Sequence, residues 1–170
     1  RIEQLAATAL QSTRRIIDGL RPQMLEELGL TAALEDMASR FLARSGIRCG
    51  LQIDRSLHDD GHIDPEVATC LYRVAQEALN NIVKHSGARR ASLTLAPREG
   101  RMICLQIRDD GRGVDESDRI ELGSFGLLGM RERLLAVGGR LRIVRLTGSG
   151  TLIEAQVPNG GVSTPDESTP

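Results

Sequence analysis

Apolar residues recur every three or four positions along four stretches of the chain, which predicts four helices. These stretches cover residues 1–20, 31–44, 64–85 and 127–137. Two adjacent apolar stripes run along the first stretch, as is typical of a helix packed in a bundle. The third begins at Asp64-Pro65, an N-cap acid followed by proline at the first helical position, and ends at Ser86-Gly87.

Five other stretches alternate apolar and polar residues, the pattern of half-buried strands. They cover residues 47–53, 92–95, 102–108, 141–146 and 151–157, while 23–29 reads as a short connector and 54–61 as a polar loop. Turn residues at 97–100 and 147–150 join two pairs of these strands into hairpins. Such interleaving predicts an α+β fold, a two-layer α/β sandwich with its helices on one face. No parallel crossover is required, so a doubly wound fold is disfavoured.

The composition suits a globular protein and disfavours two classes of function. The chain has 170 residues and a formal net charge of -1, so nothing indicates a general binder of polyanions. Its whole aromatic set is Phe41, Tyr72 and Phe125, too few to stack the bases of single-stranded nucleic acid. We therefore expect no direct nucleic-acid partner. The three cysteines are odd in number and widely spaced, which indicates reduced thiols in a cytosolic protein.

The start of the chain suggests a piece of a longer protein. The sequence begins with Arg1 rather than Met, inside a helical pattern. There is no signal peptide and no apolar run near the ~20 residues that span a bilayer, so we expect a cytoplasmic domain. The tail from Pro158 is rich in Pro, Ser, Thr and Gly, which predicts disorder over 159–170.

One stripe of the predicted helix 64–85 carries candidate chemistry. Glu77 and Asn81 are four residues apart and share a face, and Lys84 and His85 lie three and four residues further on. Carboxylate and amide oxygens suit Mg²⁺, which also takes phosphate oxygens, and the two basic groups can meet phosphate charge. Taken alone, an ordinary solvated helix face explains the stripe as well.

Three later motifs follow in a fixed order. Asp109-Asp110-Gly111-Arg112-Gly113 ends a strand, where glycines permit close backbone approach and a carboxylate can accept a hydrogen bond from an exocyclic amine. Next comes Gly126-Leu127-Leu128-Gly129 before a helix, whose first N–H groups can bind phosphate. Gly148-Ser149-Gly150-Thr151 precedes the final strand. Each motif is weak alone, but all four in this order are an improbable coincidence.

With these four motifs in this order, the chain resembles the catalytic, ATP-binding domain of two-component sensor histidine kinases, within the gyrase, heat-shock chaperone and mismatch-repair ATPase superfamily. The resemblance covers about residues 28–158 and implies a Bergerat-type ATP-binding fold. It is closest to the nitrate-sensor and desaturase-thermosensor subfamily, whose partners are response regulators with a helix-turn-helix output domain. The motifs that carry it are Leu20-Arg21-Pro22, Leu28-Gly29-Leu30, Gln76-Glu77-Ala78-Leu79-Asn80-Asn81 and Gly126-Leu127-Leu128-Gly129-Met130-Arg131-Glu132-Arg133.

The resemblance implies a role for each matching residue. Glu77 would be the general base or a polarising group, and it would reach the Mg²⁺ ion through water. Asn81 would coordinate that ion, and Asp109 would accept a hydrogen bond from the adenine amine. Residues 114–125 would form the ATP lid. Asp110 stands where the family often has Asn, and neither that nor the short lid is expected to abolish binding. The implied ATP-binding set is Asn81, Lys84, His85, Asp109, Gly111, Gly113, Gly126, Leu127, Gly129 and Thr151.

The phosphate-accepting histidine of this family is missing from the chain. It belongs to the first helix of a dimerisation hairpin, whereas residues 1–27 resemble the second helix and its connector. His58-Asp59 lies in a predicted loop and is not expected to accept phosphate. We therefore expect a fragment that binds ATP and Mg²⁺ without phosphorylating itself, from a homodimeric protein whose membrane anchoring the sequence leaves open.

Two other functions remain open from the sequence. A serine-kinase anti-sigma factor of the same superfamily would lack the N-terminal helix and the Leu-Arg-Pro connector found here. A degenerate scaffold that binds a regulator without nucleotide would not need Glu77, Asn81 and Asp109, which are all present.

Overall fold

The structure, a computed structural model, describes residues 23–57, 63–114 and 126–160. Within these ranges we number three α-helices: α1 (Gln23–Ser45), α2 (Pro65–Asn81) and α3 (Gly126–Ala136). The strands are β1 (Arg48–Ile53), β2 (Arg90–Arg98), β3 (Met102–Asp109), β4 (Arg140–Arg145) and β5 (Thr151–Pro158). A short 3₁₀ turn (Arg55–Leu57) follows β1, and a π-helical turn (Ile82–Ser86) continues α2.

The five strands form one sheet in the order β1-β2-β3-β5-β4. The pairs β2–β3, β3–β5 and β4–β5 are antiparallel, but β1 pairs with β2 in parallel. The crossover between β1 and β2 runs through α2, as a parallel connection requires. The two predicted hairpins, β2–β3 and β4–β5, are therefore confirmed, and the parallel pairing of β1 is a crossover that the sequence pattern did not require.

The helices cover one face of the sheet, which confirms the predicted two-layer α+β sandwich. Alternate strand residues point into this layer, for example Leu93, Leu105 and Ala155, which are fully buried. Leu34 of α1 and Leu71 of α2 meet them in the same core cluster. Each buried leucine contributes roughly 1.5–3 kcal/mol, so the aliphatic core holds both layers together.

The helix α1 starts earlier than the sequence predicts. Residues 23–28, expected as a connector, are helical, and the chain bends at Gly29, whose φ of 78° and ψ of 179° are not helical. Leu25, before the bend, is buried in the core with Leu30 after it. This burial stabilises a helical turn that local propensity does not reveal, while glycine permits the positive φ at the bend.

The remaining elements agree with the predictions to within a few residues. Strands β2 and β5 are longer than predicted, and β5 runs through Pro158. The predicted helix 1–20, the lid at 115–125 and the tail from 161 lie outside the described residues. All three cysteines are free, and burial raises the pKa of the Cys70 thiol to about 11. Among the described helices, none combines the length and apolar content needed to cross a membrane.

Candidate functional site

The predicted motifs meet at one pocket, open to solvent, at the end of α2. Four elements contribute to it: α2 with its π-helical turn, the turn after β3, the start of α3, and β5 with its neighbour β4. The lining residues are Ala78, Asn81, Ile82, His85, Ser86, Asp109, Arg112, Gly113, Val114, Leu127, Ile143, Thr151 and Ile153. The pocket therefore combines an aliphatic wall with a few polar groups, as nucleotide and cofactor sites do.

Asp109, the last residue of β3, places a carboxylate in this pocket. Its side chain is 5% exposed, and its Oδ1 accepts a hydrogen bond of 2.8 Å from the Gly111 N–H. Burial raises the pKa of the Asp109 carboxyl above its ordinary value, while hydrogen bonds from Gly111 and Thr151 oppose that shift. A buried, hydrogen-bonded acceptor at a strand end is suited to recognise one N–H donor of a ligand.

The turn after Asp109 is fastened to the end of α2. The Arg112 N–H donates to the Ser86 carbonyl and its Nε donates to the His85 carbonyl, both at 2.9 Å. A Cβ on Gly111 would overlap the Ser86 carbonyl oxygen and lie 2.7 Å from the Ser86 Cβ, so only glycine fits without backbone movement. The absence of a side chain at Gly111 thus allows the turn after β3 to lie in contact with the end of α2.

Asp110, which stands where the family often has Asn, points away from this pocket. Its Oδ1 accepts hydrogen bonds of 2.8 Å from the N–H groups of Arg89 and Arg90, at the start of β2. These two hydrogen bonds, of which the one from Arg90 has the larger effect, lower the pKa of the exposed Asp110 carboxyl below its ordinary value. The acid therefore fastens β2 to the turn, a function that an acceptor oxygen of Asn would also serve.

Thr151 and the residues before it close the pocket from the side of β5. Thr151 is buried and hydrogen-bonds Asp109. The Ser149 hydroxyl donates to the carbonyl oxygens of Asp110 and Gly111. The Gly148-Ser149-Gly150-Thr151 motif therefore lies directly against the Asp109 motif, although about 40 residues separate them in the sequence.

The helix α2 carries Asn81 to the other side of the pocket, whereas Glu77 is not among the lining residues. Asp64 caps the start of α2 by accepting a 2.8 Å hydrogen bond from the Glu66 N–H. Asn81, half-buried at the last residue of α2, lines the pocket. Glu77 lies one turn earlier, so close to Gly126 that a Cβ there would overlap the carboxylate. The predicted shared face of Glu77 and Asn81 agrees with these positions.

The π-helical turn separates the two basic residues. His85 lines the pocket with Asn81, but Lys84 lines a second groove between α1 and α2, together with Asn80 and Val83. The predicted common face is therefore wrong for Lys84. The wider π turn is local structure that a 3.6-residue period cannot reveal. A phosphate contact by Lys84 stays a prediction.

The glycine motif before α3 meets the pocket only in part. Leu127 lines it and Gly126 abuts Glu77, whereas Gly129 faces the flexible end of Arg133, whose Nη1 would lie 3.1 Å from an added Cβ. Sequence reasoning missed the apolar wall, Ala78, Ile82, Ile143 and Ile153, and the fastening by Arg112. The strand alternation marked Ile143 and Ile153 as inward-facing, but no local signal assigns them to the site rather than to the core.

Comparison with known proteins locates this pocket in a recognised domain. The family described as histidine kinase-, DNA gyrase B-, and HSP90-like ATPase matches residues 66–161, which contain all four motifs. The chain is 37% identical to the sensor histidine kinase MctS of Rhizobium johnstonii over 88% of its own length and 32% of that protein. It is 31% identical to the sensor histidine kinase LiaS of Bacillus subtilis over 92% and 42% of the two lengths. The chain thus spans well under half of these relatives.

Solved structures agree with the fold. The histidine kinase domain of a blue-light activated histidine kinase from Erythrobacter litoralis superposes with a TM-score of 0.64 at 25% identity, covering 76% of this chain and 60% of that one. A mycobacterial sensor histidine kinase, MprB, superposes with a TM-score of 0.58 at 19% identity, covering 78% and 97%, which supports the fold alone.

Proposed function

This chain belongs to the histidine kinase-, DNA gyrase B-, and HSP90-like ATPase family, and from that premise we propose that it is the ATP-binding catalytic domain of a sensor histidine kinase. The observation that carries the proposal is the pocket in which the buried carboxylate of Asp109 and the amide of Asn81 lie among aliphatic side chains. The family resemblance assigns these two groups to the opposite ends of one nucleotide.

The adenine base would bind at Asp109. A carboxylate that is desolvated and already oriented by Gly111 and Thr151 can accept a hydrogen bond from the exocyclic amine. Ile143, Ile153 and Leu127 supply the apolar surface that a flat base requires.

The magnesium ion and the phosphates would bind at the end of α2 and the start of α3. In the described part of the chain, no three His, Cys, Asp or Glu side chains cluster so that they could hold a metal ion. Asn81 and Glu77 supply one amide and one carboxylate, a set that fits Mg²⁺ carrying water and phosphate oxygens as its other ligands. Bound magnesium would neutralise phosphate charge, while His85 and the first N–H groups of α3 would contact the phosphate oxygens.

In the proposed reaction an imidazole nitrogen of a histidine in another part of the longer protein attacks the γ-phosphorus. The bond from that phosphorus to the bridging oxygen breaks, ADP leaves, and Glu77 accepts the imidazole proton. The phosphoryl group would then pass to an aspartate of a response regulator with a helix-turn-helix output domain. We further propose that residues 1–27 supply the second helix of the dimerisation hairpin and its connector, the described part of which packs on the catalytic core through Leu25, and that residues 28–158 form the catalytic domain.

Titration calorimetry with ATP and Mg²⁺ on two adjacent asparagine variants tests the nucleotide site. Asn81→Ala removes a pocket amide and is expected to weaken magnesium-dependent affinity by about tenfold or more. Asn80→Ala is the matched control, because Asn80 is exposed and lines the second groove. Equal losses in the two variants, or no binding by the unaltered chain, would contradict the proposal.

Incubation with γ-labelled ATP tests the proposal that the phosphate-accepting histidine lies outside this chain. The 170-residue chain is expected to acquire no phosphohistidine, since the sequence around His58 and His62 predicts a polar loop rather than the helix that carries an acceptor. A serine phosphotransfer activity would instead support the anti-sigma-factor alternative, and binding of a regulator without nucleotide would support the scaffold. No described residue and no relative reported above favours either alternative.

A further inference from the structure

The sheet has a second face, which the described helices leave open, and its charges are almost all of one sign. Side chains at alternate positions of the five strands point to this side, which we call the outer face. Six of these side chains are exposed arginines and one, Glu154, is an acid, so the formal charge of the face is +5. The arginines are Arg48, Arg90, Arg98, Arg108, Arg140 and Arg142. The whole chain carries -1, so its charge is strongly segregated.

The single acid on this face is already engaged. Glu154 accepts hydrogen bonds from the side-chain amides of Gln106 and Gln156, at 2.7 and 3.0 Å. Arg140 donates to Gln156, and Arg90 lies 3.8 Å from Asp110 at the edge of the face. Among the described residues, Arg108 and Arg142 have no ion-pair partner.

An open sheet needs polar side chains, but it does not need charges of one sign. Like charges on neighbouring strands repel each other, so a face of mixed charge would be the more stable arrangement. Arginines on the edge strand β4 can prevent edge-to-edge aggregation. That explanation does not extend to Arg108, which lies on the central strand β3, or to Arg98 on β2.

The outer face is somewhat smaller than one side of a standard protein interface. Five strands at about 4.8 Å and nine residues of β2 at about 3.3 Å make an area of roughly 20 by 26 Å, or ~500 Å² before side chains are counted. This is somewhat below the ~800 Å² that each partner of a standard interface buries. The middle row of the face consists of the polar side chains of Gln52, Thr94, Gln106 and Glu154 and ends at Arg142.

We propose that the outer face binds the acidic surface of a partner protein, with Arg108 near the centre of the contact. Arginine is enriched in protein interfaces, and its fork donates two parallel hydrogen bonds to one carboxylate. Among the residues that the structure describes, none on this face is an exposed aromatic or large apolar side chain that could enter a lipid interface. It also presents no helix that could enter a major groove. An acidic protein surface is therefore favoured over a membrane or a nucleic acid.

A double variant that removes two arginine charges tests the proposed binding of an acidic partner, with poly-L-glutamate as the probe. Arg108→Gln with Arg142→Gln removes two charges from the outer face without placing an acid opposite Glu154. The matched control, Arg44→Gln with Arg131→Gln, removes two exposed charges from the helix layer and leaves the same net charge. Binding is measured by anisotropy at about 20 and about 150 mM salt, since surface charge pairs weaken with ionic strength.

The expected result is salt-dependent binding that weakens by about tenfold in the outer-face pair and less than about twofold in the control pair. Anionic phosphatidylglycerol vesicles and a short duplex DNA serve as competing probes. The proposal is overturned by equal losses in both pairs, by no binding of poly-L-glutamate at low salt, or by tighter binding to the vesicles or the DNA. Thermal melting of both pairs confirms that each variant is folded.

Discussion

Asp109→Asn changes one buried atom of the proposed adenine site and leaves the shape unchanged. In the folded protein Oδ1 of Asp109 accepts from Gly111, and the Asn oxygen can keep that bond. The new amide nitrogen then presents a donor to the donor amine of adenine. A hydrogen bond to a charged group contributes about 1.5–3 kcal/mol, and each 1.4 kcal/mol is tenfold, so ATP affinity should fall roughly 12- to 140-fold.

Calorimetry with ATP and GTP separates lost recognition from general damage. The carboxylate accepts from the adenine amine, whereas guanine has a carbonyl oxygen at that position. The unaltered chain should therefore prefer ATP, and Asp109→Asn should reduce that preference as well as the affinity. Asp110→Asn is the matched control, since Asp110 points away from the pocket and its acceptor oxygen is kept. A change of less than about threefold in Asp109→Asn, or equal losses in both variants, would refute the assignment.

The same variant has an expected signature in stability. Burial raises the pKa of Asp109 in the folded state above its ordinary value of 3.8. A raised carboxyl pKa favours folding fully below the unfolded value, and this contribution is lost as pH rises through the folded pKa. At neutral pH Asp109→Asn should therefore melt no lower than the unaltered chain, and any gain should vanish below about pH 3.8. A large fall in melting temperature at pH 7 would show that the carboxylate has a structural role instead.

Two further predictions concern α3 and α2. Gly126→Ala places a Cβ against the Glu77 carboxylate and should weaken ATP binding measured by calorimetry. Gly129→Ala meets only the flexible end of a side chain and should stabilise the helix by up to about 1 kcal/mol. Equal effects of the two variants on ATP affinity would contradict the role given to Gly126. Asp64→Ala removes the N-cap hydrogen bond of α2 and should lower the free energy of unfolding, measured by urea denaturation, by about 0.5–2 kcal/mol. Asp64→Asn keeps an acceptor oxygen and should lower it much less. Similar losses in both variants would show that the cap contributes little.

The helices α2 and α3 and the strands could be predicted because their signals are local. Period and capping residues report which face of each element is buried, and Asp64-Pro65 marks the start of α2 in both sequence and structure. The order of the motifs around Glu77, Asn81 and Asp109 identified the family, and the family match covers that span. Their roles at the nucleotide stay proposals.

Other features could not be predicted because they depend on residues distant in the sequence. The helical turn at 23–28 forms where Leu25 enters the core, and β1 pairs in parallel because α2 carries the chain across the sheet. Lys84 leaves the predicted stripe because the helix widens into a π turn at its end. Asp110 accepts from the start of β2, about 20 residues earlier in the chain.

The sequence by itself determined the elements, the aliphatic core and the motif set, because each follows from the chemistry of neighbouring residues. Only the tertiary structure decided which of those residues share a pocket and which are separated, because strand register and helix ends set distances that spacing does not contain. The outer face is the clearest case. A net charge of -1 gives no sign of it, yet five strands side by side gather six arginines on one surface.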